Sequence, residues 1–250
     1  MADQSHALAS EQEARDVAED ARESEWAHPS FVKELFLGRF RPDLIHPFPA
    51  SDNADAADAE AFLGKLAEFL GRYDADMVDR TGDIPEAYVQ ELREMGAFGM
   101  RIPEEYGGLG LDLVTYALAI AELTRGWMAV SGIVNGQYIV GGMIAAHGTD
   151  EQKAAYLPRL AAGEIRSCFS MTEPGAGSDV ASLQTRADRD GDEWIINGQK
   201  VWTSGAHYCD YGIIITRTDP NVPKHAGLTM FFLSMKTPGV EVRQIGRAHV

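Results

Sequence analysis

Two hydrophobic rhythms divide the chain. From about residue 58 to 165 apolar side chains recur at the three- and four-residue intervals of a helix face, and beyond Gly163 they fall into the short alternating runs of strands. In AFLGKLAEFLGRYDADMV, Phe62, Leu66, Phe69, Leu70 and Tyr73 share one helical face. Further helices are predicted at Pro85–Met95, Leu113–Arg125, about Val130–Ala146 and Asp150–Ala161. Pro85 near the start and Gly96 past the end mark the first of these by the usual asymmetry of helix termini. Thr149 stands as the N-cap of the last, with Gln152 where a capping box requires it.

The strand signal runs through IRSCFSM, LQTRADRD, EWIINGQKVWT, YGIIITRT, LTMFFLSM and VEVRQI, with RDGDEW and INGQ as hairpin turns. The predicted fold class is α+β, an all-helical domain followed by a small antiparallel β-barrel or sandwich domain, with the boundary near Ala162–Arg166. Residues 58–165 form the helical domain and residues 166–244 the β domain. Residues 1–57 comprise an acidic arm, poor in large apolar side chains, and a proline-punctuated lead-in. In that lead-in, SFVKELFLGRFRPDLIHPFP, Pro42, Pro47 and Pro49 oppose a continuing helix, so an extended segment is expected.

Composition narrows the function. With 38 acidic residues against 22 basic ones the net charge is −16, which excludes general binding to nucleic acid or to an anionic membrane surface. Cys168 and Cys209 lie far apart in sequence and outside any zinc-ligand spacing, so no metal site is expected and both read as reduced thiols of a cytoplasmic protein. The acidic N-terminus lacks the basic start and apolar region of a secretory signal, and the Arg-rich character of a mitochondrial presequence. The one long apolar stretch, Trp127 to Gly148, is interrupted by Asn135, Gln137 and several glycines and reads as a buried helix rather than a membrane span.

Two segments carry candidate chemistry. In TEPGAGSDV, Gly175 and Gly177 allow close approach of backbone N–H groups to a ligand, and Thr172 and Ser178 add hydroxyls. The third glycine of a dinucleotide fingerprint is missing, as is a Walker lysine, so the loop is open to reading as a plain turn or as a ligand loop. In NGQKVWTSGAHY a tryptophan beside hydroxyl residues offers a flat apolar face with donors, suited to a planar heterocycle; a core tryptophan in a hairpin is the competing reading.

Together MTEPGAGSDVASLQT and INGQKVWTSGAHYCDYGIIITRT resemble the flavin-binding middle domain of the acyl-CoA dehydrogenase family. The resemblance extends through ELREMGAFGMRIPEEYGGLGLD and GTDEQKAAYLPRLAAGEIRSCFSMTEP and covers about residues 30–244. It implies an FAD-dependent enzyme of fatty acid β-oxidation, which forms a trans-2-enoyl-CoA from an acyl-CoA and passes electrons to an electron-transfer flavoprotein. By motif position Phe169, Met171, Thr172, Trp202, Thr203 and Ser204 are expected at the flavin, and Ser178 at the CoA arm. Ser204 stands where the family often has threonine, which keeps the hydroxyl but frees its orientation.

No basic cluster is specific enough to assign to the CoA phosphates; Lys200 and Lys224 are available, but each reads more simply as a solvated side chain. Glu173 is read as structural. Small residues at Ala129, Val130, Gly132 and Gly136, where the family walls its acyl pocket, and the lead-in, which resembles that of very-long-chain members, lean towards long acyl chains. The family's general base is a glutamate of a C-terminal four-helix domain that these residues do not contain, so no catalytic residue is assigned. This piece is expected to be inactive alone and homo-oligomeric only at full length. Residues 245–250, IGRAHV, depart from the family's usual continuation and are expected to be a non-native tail. A flavin oxidase or monooxygenase on the same fold, and a non-catalytic assembly or interaction protein, are the alternatives.

Overall fold

The computed structural model describes residues 29–47 and 56–244, which fall into two units dividing at Ala54/Asp55. The acidic arm and residues 245–250 lie outside the described residues. In the first unit the lead-in is not wholly extended: α1 spans Phe31–Phe36, capped by Ser30, whose hydroxyl accepts from Lys33 N at 3.4 Å. The reason is local. Ser30 supplies the cap, no proline intervenes before Pro42, and a 3₁₀ turn at Pro42–Leu44 then uses the fixed φ of proline at its start.

The second unit opens with α2 (Ala56–Arg72), α3 (Ala75–Thr81) and α4 (Glu86–Glu94). The face predicted for α2 is the buried one. Phe62, Leu66 and Phe69 enter a core with Val89 and Leu92 of α4, and Leu70 and Tyr73 pack at its margin. Burying each such side chain contributes about 1.5–3 kcal/mol. Gly96, just past α4, has φ +79 with Leu109 closing over it, so a side chain there would be both strained and crowded.

Helices α5 (Leu113–Gly126), α6 (Met128–His147) and α7 (Asp150–Ala161) follow. The capping box predicted for α7 is formed: Thr149 Oγ1 accepts from Gln152 N at 3.3 Å, and Gln152 Oε1 accepts from Thr149 N at 2.9 Å. Helix α6 is long and apolar enough to cross a bilayer by length and composition, but half of its apolar window is packed inside the protein, as a central core helix would be.

The strands are β1 (Ser167–Ser170), β2 (Arg186–Asp190), β3 (Glu193–Asn197), β4 (Tyr211–Arg217) and β5 (Leu228–Ser234). They form a mixed sheet rather than the wholly antiparallel one expected. β2 and β3 make a hairpin, with Asp190 opposite Glu193 across the two-residue loop Gly191–Asp192, and Gly191 takes the positive φ that such a loop needs at its first position. β5 runs antiparallel to one edge of β4, but β1 lies parallel to the other, pairing Ser167 with Tyr211 through Ser170 with Ile214. β2 joins that same edge farther along, at Arg186 opposite Arg217. The long excursion between β1 and β4 is what permits the parallel pairing, because parallel neighbours need a crossover that a tight turn cannot supply. VEVRQI, read as a strand, has no strand partner among the described residues, and Val240 and Val242 are exposed.

Helices and sheet are joined through Gln137 of α6, which is 1% exposed. Its Nε2 donates to Leu160 O at 3.1 Å and Ile165 O at 2.8 Å, and its Oε1 accepts from Ser167 N at 2.8 Å and Ser167 Oγ at 2.7 Å. One amide therefore fixes the end of α7 and the start of β1. Gly136 beside it lets α6 lie on β1, since a Cβ there would stand 2.8 Å from Ser167 O. Around this joint Val140, Ile144, Leu157, Leu160 and Ile165 pack with Ile213 of β4. Gln137→Leu is expected to destabilise the protein by about 2–5 kcal/mol, because it strands several buried polar groups at once; denaturant unfolding against Gln137→Glu and wild type would measure it.

Candidate functional site

β1 delivers its end, Ser170–Thr172, to the sheet margin beside the segment that follows β3. That segment, residues 198–203, is not a strand, although the sequence pattern predicts that the strand continues through it. Gly198 packs so closely on Thr185 that a Cβ would meet Thr185 Oγ1 at 2.3 Å, so glycine is required there. From there the chain turns towards β1. Val201 N donates to Thr172 O at 2.9 Å, and Thr203 Oγ1 donates to Ser170 Oγ at 3.3 Å.

Between these two contacts sits Trp202, with φ +60 and 83% of its surface exposed. A left-handed tryptophan costs on the order of 1–3 kcal/mol and persists only where its neighbours over-determine it. The consequence is a large indole face held outward, next to the hydroxyls of Thr203 and Ser204. Met171, Thr172, Trp202, Thr203 and Ser204 are thus brought to one margin. Phe169 stands apart from them, packed against the core of Ile102, Val140 and Leu157. Ser178 is exposed in the glycine-bearing loop.

Under this margin lies a charged pair that the sequence did not reveal. Lys200, expected to be solvated, has a side chain only 7% exposed, as does Glu173. Lys200 Nζ donates to Glu173 Oε1 at 2.8 Å and to Met171 O at 3.0 Å. The same carboxylate accepts from Gln184 N at 2.7 Å and Thr185 N at 2.9 Å. Glu173 and Ala176 also exchange backbone hydrogen bonds, closing the tight turn through Pro174 and Gly175. Burial pushes the Glu173 carboxyl up, but the Lys200 ammonium and the two backbone donors outweigh it and hold the group at about 2. Burial pulls the Lys200 ammonium below its usual range, against the raising effect of Glu173. The only sequence signal was an acid and a base within the two motifs, which spacing alone cannot pair.

Lys224 matches its expectation better, being exposed, but it is engaged: Nζ donates to Asp179 Oδ2 at 3.0 Å and to Ser182 Oγ at 3.2 Å. With Arg186, Arg217 and Gln184 it lines an open cavity of about 480 Å³ just beyond the TEPGAGSDV loop. The two cysteines, remote in sequence, meet in the fold. Cys168 on β1 and Cys209 before β4 share a small buried cluster with Ala206, and both are free. The hydrogen bond with Cys168, together with burial, pushes the Cys209 thiol up.

Comparison with known proteins decides the family. Residues 57–164 match the description "Acyl-CoA dehydrogenase, N-terminal domain", and residues 168–249 match "Acyl-CoA dehydrogenase, middle domain". The chain belongs to the acyl-CoA dehydrogenase family. The protein named "Probable acyl-CoA dehydrogenase FadE10" of Mycobacterium tuberculosis is 40% identical over 238 residues, covering 94% of this chain and 36% of that protein. The chain thus spans 36% of the length of that acyl-CoA dehydrogenase. Among solved structures, butyryl-CoA dehydrogenase from Megasphaera elsdenii superposes with a TM-score of 0.69 at 28% identity, over 77% of this chain and 51% of that one. A glutaryl-CoA dehydrogenase from Mycobacterium smegmatis in complex with FADH2 gives 0.65 at 32% identity, over 73% and 46%. The helical and sheet parts described above are therefore the N-terminal and middle acyl-CoA dehydrogenase domains.

Two outcomes test this site. Because the Glu173 carboxyl is held at about 2 against an ordinary value of 4.5, its stabilisation is complete above pH 4.5 and drains away as pH falls towards 2. Unfolding free energy should therefore drop across that window, and Glu173→Gln should flatten the drop; denaturant titrations at stepped pH measure both. The buried thiols should react with a disulfide reagent only at the rate of unfolding, and rapid labelling of both in the native chain would contradict their placement.

Proposed function

We propose that this chain carries the flavin-facing part of an FAD-dependent acyl-CoA dehydrogenase, and that its whole protein converts an acyl-CoA to the trans-2-enoyl-CoA in the cytoplasm as a step of fatty acid oxidation. The observation that carries this reading is the junction of Thr172 with Val201 and of Ser170 with Thr203, which sets an exposed indole beside several hydroxyls. The donor set fits a planar heterocycle. It is neutral, the one carboxylate beneath it is compensated by Lys200, and Trp202 leaves a flat apolar face open to a ring. FAD, when bound, supplies the hydride acceptor.

The chain's own residues would do the rest. Trp202 covers one part of the ring system and excludes water from it. The hydroxyls of Thr172, Thr203 and Ser204, with neighbouring backbone N–H groups, direct hydrogen bonds at the polar edge where negative charge develops. Ser178 lies in the loop next to the cavity bearing Arg186 of β2, Arg217 of β4 and Lys224 of the β4–β5 connection, and these cations, two of them already paired with Asp188 and Asp179, are the groups proposed to meet the phosphates of a CoA thioester. Glu173, the carboxylate beneath the margin, is not free to act as the base, because it is buried and already accepts three hydrogen bonds. The residues in hand are proposed to be inactive alone, with the base elsewhere in the whole protein. An electron-transfer flavoprotein is the proposed acceptor, and homo-oligomers are proposed for the whole protein.

Long acyl chains remain the proposed substrate class, though the support has shifted. Gly136 is small because α6 must approach β1, and Val130 belongs to the helical core, whereas Gly132 faces open space and leaves room on α6. Titrating the chain with FAD, followed by quenching of flavin fluorescence, tests the reading. Saturable uptake is expected, weakened roughly tenfold by Trp202→Ala through loss of ring stacking. Uptake that Trp202→Ala and Thr203→Ala both leave untouched would place the flavin elsewhere.

A further inference from the structure

We propose that Glu173 and Lys200 are positioning residues, a buried clamp that fixes the register of the two ligand-facing segments, residues 170–172 and 201–204. The role assigned to the clamp rests on the flavin reading above, but its mechanical part does not.

The inference starts from what is missing between those segments. The ladder of β2 and β3 ends at Asn197, and β1 pairs with β4, so neither segment is a sheet neighbour of the other. Among the described residues, one backbone hydrogen bond joins them, Val201 N to Thr172 O. A single bond of that kind leaves a pivot. Lys200 removes it, because one ammonium grips Met171 O and Glu173 Oε1 from the residue just before Val201. Glu173 in turn is anchored to the backbone of Gln184 and Thr185, at the entry to β2. Three chain segments that share no strand ladder are thereby locked around one carboxylate.

Energetics favour a positioning role over a purely stabilising one. A buried ion pair is a poor source of net stability, because desolvation offsets the attraction, and well-packed apolar side chains often serve as well. What apolar side chains cannot do is dictate direction. Here every hydrogen bond of the clamp points to a residue within two positions of Thr172, or to the entry of β2, and Trp202 lies two residues from Lys200. The left-handed backbone at Trp202 is bracketed by Lys200 on one side and by the Thr203 to Ser170 hydrogen bond on the other. Releasing Lys200 frees one end of that bracket, so the indole loses its fixed direction while the β4 ladder stays intact.

The test compares wild type with Lys200→Met, Lys200→Arg and the double variant Glu173→Gln/Lys200→Met, which leaves no lone buried charge should Lys200→Met fail to fold. Two local readouts are taken: amide exchange at Val201 against Ile214 and Ile215 of β4, and the fluorine resonance of Trp202 in fluorotryptophan-labelled protein, assigned with Trp202→Phe. Exchange at Val201 is expected to rise by at least roughly tenfold with β4 unchanged, and the Trp202 resonance to broaden or split, with Lys200→Arg in between. An unchanged Val201, or a rise shared equally by β4, overturns the proposal in favour of a merely structural pair. FAD titration of the same proteins separates the two claims. Weaker uptake in the folded variants supports the clamp's role at the ligand; local loosening in the variants, when the wild-type chain itself takes up no flavin, keeps the clamp and removes the flavin reading; undiminished flavin affinity despite loosening overturns the ligand role.

Discussion

The Glu173 carboxylate, held ionised below the surface by Lys200 and two backbone N–H groups, is the contact on which the candidate site depends. Charge inside a protein is tolerated only when every lone pair and proton finds a partner. Here that requirement draws together the end of β1, the entry to β2 and the segment leaving β3. An acid within TEPGAGSDV and a base within NGQKVWTSG satisfy each other, and the segments carrying them must then lie side by side. Trp202 is presented to solvent as a consequence of that geometry, at a backbone angle the residue would not choose by itself.

Gln137 serves the same logic at the joint between helices and sheet. Its amide has two faces, a donor for the carbonyls of Leu160 at the end of α7 and Ile165 in the connection that follows, and an acceptor for Ser167 at the start of β1. The apolar packing of Val140, Ile144 and Ile213 around it supplies adhesion without direction, and the buried amide supplies direction. Sheet placement relative to the helices is therefore set by hydrogen bonds that only one arrangement can satisfy.

What could be read from sequence followed from local rules. The capping box at Thr149 and Gln152, the buried face of α2, the extent of α7 and the Gly191 hairpin each depend on residues a few positions apart, and each is formed. What escaped was long-range. The parallel pairing of β1 with β4, the meeting of Cys168 with Cys209 and the burial of Lys200 all join residues far apart in the chain, and no spacing encodes them. The helix at Phe31–Phe36 departs from the extended lead-in for another reason: the prolines that oppose a helix begin only at Pro42, leaving the run after Ser30 free to wind. The motif residues Met171, Thr172, Trp202, Thr203 and Ser204 stand out by family resemblance alone, and the contacts of Thr172 with Val201 and of Ser170 with Thr203 are what bring them to one margin.

The most direct measurement is amide chemical-shift mapping of the isotopically labelled chain during titration with FAD. Shift changes should concentrate at Met171, Thr172, Trp202, Thr203 and Ser204 and fade towards the turn at Gly191. Changes centred on the α2 to α4 helices, with those five residues unmoved, would contradict a flavin-facing margin built on Glu173 and Lys200.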